Sequence, residues 1–115
     1  MIAPEYSLNR LTQMADQLRQ VRKAELQAGD WVIVLTEHST YRVRVLNNGR
    51  YEVSGGWFER KFSSPVEVGI VGCTWGGSAV KIDVVAACGL RLEFGNKVKT
   101  SCIREIIVFR NAILN

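Results

Sequence analysis

The residues best suited to chemistry lie between Thr40 and Lys61, a stretch that reads TYRVRVLNNGRYEVSGGWFERK. Arg42, Arg44, Arg50, Arg60 and Lys61 stand close in sequence there to Tyr51, Trp57 and Phe58. Aromatic faces stack on unpaired bases and basic groups follow phosphates, so this mixture suits single-stranded nucleic acid. Arg42, Arg50, Tyr51, Trp57, Phe58, Arg60 and Lys61 are the candidate contact residues, and a second basic strip, Lys97, Lys99 and Arg104, could extend them. Blander roles compete. Tyr51 shares an apolar face, Trp57 can fill a corner of the fold, and Arg44 can pair with Glu52.

Catalytic groups are sparse. The one histidine, His38, stands beside Ser39 in a turn, and a Ser/His/acid set would need Asp30 or Glu37 to be buried and aligned with it. A solvated turn histidine is the simpler reading. Cys73 and Cys88 lie in Val/Ala/Gly-rich surroundings, unlike the electropositive open sites that activate a thiol. Cys73, Cys88 and Cys102 are also spaced far beyond the ~2–4-residue intervals of structural zinc motifs. The glycine pairs at 55–56 and 76–77 lack the Lys-Ser/Thr of a phosphate loop, and neither is expected to open a helix. The expectation is a binding module without catalysis, cofactor or metal.

The elements that must hold these residues follow from periodicity. Leu8, Leu11, Met14, Ala15, Leu18 and Val21 recur at three and four residues after a capping Ser7, which predicts a helix over about 7–26. Leu11, Met14, Leu18 and Val21 also fit a self-association seam, giving a homo-oligomer interface as the second functional reading. From Asp30 the period becomes two. Trp31 to Leu35 is apolar on both faces, which suits a strand covered on each side. Tyr41, Val43 and Val45 then face one way and Arg42 and Arg44 the other.

A three-residue loop at Asn47-Asn48-Gly49 places Val45 opposite Tyr51, Val43 opposite Val53, Arg44 opposite Glu52 and Arg42 opposite Ser54. A two-residue Asn48-Gly49 turn would set Val45 against Glu52 and mix the faces. Gly55-Gly56 interrupts the next strand. Further alternation runs through Val66, Val68 and Ile70, through Val80, Ile82 and Val84, and through Leu90, Leu92 and Phe94. Pairing of Phe94 with Val98 would set Glu93 against Lys99. Cys102 to Phe109 reads as the last strand.

The totals agree with an ordinary globular chain. Its 115 residues predict one domain, 1–115, with 47% hydrophobic and 23% charged residues. The net charge of +4 is uneven, since residues 42–61 and 97–115 each carry +3. That unevenness is a weak signal for a polyanion partner. No apolar run reaches the ~18 residues of a membrane span. MIAPEYSLNR has no signal-peptide pattern, and three cysteines do not suggest a disulfide framework, so the expected location is cytoplasmic with no membrane partner.

One helix followed by about seven short strands predicts a mainly β fold: an N-terminal helix, then a small antiparallel barrel or strongly bent sheet of about 5–8 strands over 30–110. The order of elements, with the meander opening at Gly29-Asp30-Trp31-Val32-Ile33-Val34, resembles the SH3-like small barrels, and among them the Sm/LSm-like arrangement. The resemblance covers about residues 7–60. Cys88-Gly89-Leu90-Arg91 does not reproduce the Arg-Gly motif of that family, so no functional residue is carried over. The resemblance implies small barrels that often form rings and often bind nucleic acid or peptides.

Overall fold

Between Thr40 and Val45 every second side chain is buried, and that alternation is the clearest mark of the main sheet. The computed structural model describes residues 15–62, 65–75 and 80–111. Strands β1 (Ala15–Leu18), β2 (Gln20–Arg22), β3 (Trp31–Thr36), β4 (Thr40–Val45) and β5 (Tyr51–Gly55) lead to a short helix, α1 (Gly56–Lys61). Strands β6 (Val66–Val68), β7 (Ile70–Thr74), β8 (Val80–Lys81), β9 (Val84–Ala87), β10 (Arg91–Phe94) and β11 (Ile103–Phe109) follow. Among the described residues they form three antiparallel sheets, in the orders β1-β11-β3-β4-β5-β6, β10-β7-β8 and β2-β9.

Two expectations about the architecture are overturned. The main sheet ends at β1 on one side and β6 on the other, so it is not closed into a barrel. The predicted N-terminal helix is also absent from the described residues. Its first part, with Leu11 and Met14, lies outside them. Its second part runs as β1, β2 and a 3-10 turn at Lys23–Glu25. The cause is long-range pairing. Ala15 to Leu18 pair with Phe109 to Ile106, and Gln20 and Val21 pair with Ala87 and Ala86. Arg19 O accepts a 2.7 Å hydrogen bond from Cys88 N–H between those two ladders. Val21, expected at an oligomer seam, is fully buried in the core, and Leu18 stands opposite Ile106 in the sheet. Local propensity for helix in Ala15-Asp16-Gln17-Leu18 is a matter of tenths of a kcal/mol, and the ladders outweigh it.

The hairpin register agrees with the pattern. Val45 faces Tyr51, Val43 faces Val53, Arg44 faces Glu52 and Arg42 faces Ser54. The turn combines features of both readings. Asn48 (φ 62°) and Gly49 (φ 70°) are both left-handed, and Arg50 N–H donates to Asn47 O at 3.4 Å. Leu46 N–H donates to Arg50 O at 2.9 Å, so Asn47 is the extra residue that keeps the apolar positions on one face. In the later turn, Phe94 N–H donates to Val98 O at 2.9 Å and Glu93 bridges Lys99, as the pattern predicts. The left-handed residue there is Lys97 (φ 72°).

The run at Val80, Ile82 and Val84 is not one strand. Ile82 and Asp83 form a turn between β8 and β9, which leaves Ile82 exposed.

The core lies between the inner face of the main sheet and the two smaller sheets. Val32, Val34, Tyr41, Val43, Val53, Ile106 and Val108 join Leu92, Phe94, Val84 and Val85 in one buried cluster. At the end nearest α1 the packing is aromatic. Phe58 meets Phe94 edge-on at 4.8 Å and Tyr41 at 6.3 Å. Asp30 is a buried carboxylate at the other end of β3. It accepts backbone hydrogen bonds from Gln27 N–H (2.8 Å) and Asn111 N–H (2.7 Å), which offset its desolvation.

Candidate functional site

The seven basic and aromatic residues singled out between Arg42 and Lys61 do not form one surface. Tyr51 points into the core, where burial pushes its phenol above the ordinary range, and Phe58 is buried in the aromatic cluster. Neither presents an exposed ring face on which a base could stack. Arg50 is held by Glu67, with Nε 3.2 Å from the carboxylate. Trp57 is half-buried, edge-on to Phe58 and Phe62, and its backbone N–H donates to the Tyr41 hydroxyl at 3.3 Å. Arg60 and Lys61 are exposed in the last turn of α1, where positive charge suits the helix end. The second basic strip is dispersed as well. Arg104 pairs with Glu37 at 3.2 Å and Lys99 stands opposite Glu93.

Arg42 and Arg44 remain, and the sheet gives them new neighbours. Residues in register across antiparallel strands share a face. One row on the outer face therefore runs Phe109, Trp31, Arg44, Glu52, Glu67. The next runs Ile107, Ile33, Arg42, Ser54. A third holds Glu105, Leu35 and Thr40. The strand expected to be covered on both sides is covered on the inner one, while Trp31 is 38% and Phe109 42% exposed on the outer. Arg42 and Arg44 are both exposed and make no ion pair or hydrogen bond with described residues. Arg44 stands opposite Glu52 without forming a salt bridge to it.

Trp31 and Phe109 were missed because apolar runs read as buried. The signal that finds them is register. Once Arg42 and Arg44 face outward, the turn at Glu37-His38-Ser39 places Ile33 and Trp31 directly beside them.

The outer face ends at a recess under α1. A cavity of about 170 Å³ is lined by Arg42, Ser54, Phe58, Glu59, Phe62 and Pro65. Its position follows from Gly55 and Gly56, which do open a helix, against expectation. Gly55 (φ 89°) ends β5 with its α-carbon against Thr40 O, and Gly56 (φ 49°) sits on the Tyr41 ring. A side chain at either place would collide, so this corner is open only to glycine. After this sharp reversal Phe58 meets Tyr41 in the core while Glu59 lines the recess with Arg42 and Ser54.

The remaining reactive groups lie apart. His38 is exposed in its turn, 3.6 Å from Glu37, and Asp30 is held by its two backbone donors. Burial drives the Cys73 thiol up to about 11, against smaller opposing effects from the Ala87 backbone and from Lys23 and Lys81. Burial also raises Cys88. Among the described residues, no three of His, Cys, Asp and Glu gather where they could hold a metal ion. No helix among the described residues is long and apolar enough to cross a membrane. No protein-family model matches the chain, and no curated protein or solved structure matches it either.

Proposed function

We propose that this domain is a non-enzymatic binding module that holds single-stranded nucleic acid across the outer face of its main sheet. The observation that carries this reading is the juxtaposition of Arg42 and Arg44, which have no partner among the described residues, with the exposed rings of Trp31 and Phe109 in adjoining rows. Rings on an open sheet face can stack on bases, and guanidinium groups one or two strand spacings away can meet the phosphates. From Phe109 to Arg44 is two spacings, about 10 Å. The flanking carboxylates of Glu52 and Glu67 bound the basic strip on the far side.

Anisotropy of a labelled single-stranded 12-mer against salt tests this. Two phosphate contacts contribute about 1.4 to the slope of log affinity against log salt, so Arg42→Ala with Arg44→Ala should reduce the slope by about that much. Trp31→Ala should weaken binding by about 1–3 kcal/mol. No binding by the wild type at low salt rejects the proposal.

A second reading rests on Ile33, Leu35 and Ile107, whose aliphatic side chains add nothing to base stacking. They extend the apolar part of the face and suit a protein surface, including that of a second copy. Solution mass with and without the oligonucleotide separates the two. A discrete oligomer that Trp31→Arg dissolves, and that ignores oligonucleotide, supports the second.

A further inference from the structure

The recess under α1 carries more information than a phosphate track requires. Arg42 and Glu59 both line it, yet they form no ion pair with one another, and neither has another partner among the described residues. Opposite charges that line one small cavity and form no ion pair with one another offer a ligand both donors and acceptors. The apolar part of the lining is Phe62, 46% exposed with its ring braced by Trp57 at 5.9 Å, together with Phe58 and Pro65. At about 170 Å³ the cavity is smaller than the ~300–1,000 Å³ clefts that hold drug-sized ligands, and it suits one ring system.

We infer that this recess reads a single guanine base of the bound strand. This rests on the outer-face reading above, because Arg42 belongs to both. Guanine is the base whose edges match the two groups at once. Its N1–H and N2–H2 donors lie side by side and offer a carboxylate two parallel hydrogen bonds, which Glu59 can accept. Its O6 and N7 acceptors are the usual target of an arginine fork, which Arg42 can donate. Thymine and cytosine lack the adjacent donor pair and the larger ring.

The test compares three labelled strands of equal length: all-thymine, thymine with one central guanine, and thymine with one central inosine, which lacks the N2 amino group. The guanine strand should bind about 5- to 150-fold more tightly than the all-thymine strand, the range of one good bidentate contact. Inosine should lose a large part of that gain. In Glu59→Gln, an exposed position where folding is not at risk, the ratio of guanine-strand to thymine-strand affinity should fall toward one.

The outcomes separate the two layers of the argument. Equal binding of all three strands by the wild type overturns the guanine reading and leaves the outer-face proposal standing. Retention of the full ratio in Glu59→Gln also overturns it. Absence of binding to any strand removes both.

Discussion

Cys73 shows what a buried thiol contributes at the scale of one residue. Its side chain is fully enclosed, donates weakly to Val85 O at 3.9 Å, and is kept protonated by burial to about pH 11. The unfolded thiol ionises near pH 9, so the folded state holds its proton more tightly. The associated stability is complete below pH 9 and is lost as pH rises toward 11. Lysines and tyrosines titrate over the same range, so the informative measurement is a difference. Urea unfolding of wild type and Cys73→Ala at several pH values should give a gap that is constant below pH 9 and narrows toward 11. A constant gap throughout means that the thiol does not feel its surroundings. The same enclosure takes Tyr51 and Phe58 away from any base: residue type announces chemistry, but only the fold decides which side of a strand meets solvent.

At the scale of elements, the hairpin β4–β5 was legible and the first two strands were not, and the difference is the range of the forces involved. Strict alternation from Tyr41 to Val45 and a turn with asparagine and glycine are local, and together they allow one register. The partners of β1 and β2 lie at Phe109 to Ile106 and at Ala87 to Val84, far along the chain, and nothing near Leu18 or Val21 points to them. The elbow at Gly55-Gly56 stands between these cases. Its flexibility was evident, but its direction was set by Thr40 and the Tyr41 ring. Gly56→Ala should therefore cost about 2–4 kcal/mol by adding both a left-handed alanine and a clash with Tyr41. Chemical denaturation measures it, and a loss under 1 kcal/mol would contradict the packing described. Because the elbow positions α1, a folded Gly56→Ala protein should also discriminate less between guanine and thymine strands.

The whole molecule shows its charge differently from its sequence. Two basic blocks of +3 were a weak signal for a polyanion partner, the second able to extend the first. In three dimensions the second is dispersed: Arg104 pairs with Glu37, Lys99 stands opposite Glu93, and the Glu25 carbonyl accepts from Arg110 at 2.8 Å. The unpaired arginines of β4 remain beside apolar rows contributed by β3 and β11. That arrangement has a consequence for how the protein comes into being. One neighbour of β3 is β11, the last of the described strands to be made, and β1, made before any other described strand, has no partner until β11 arrives. A nascent chain can close the β3–β4–β5 meander early, yet it must carry the bare edge of β3 until residue 109 emerges. Folding is thus a late, concerted event on the slow millisecond-to-second scale of chains dominated by distant contacts. A chain ending at residue 102 should give no cooperative unfolding transition and should be cut rapidly by protease, whereas adding a synthetic Ile103–Phe109 peptide in trans should restore protection. During synthesis, that waiting edge is open to pairing with another chain.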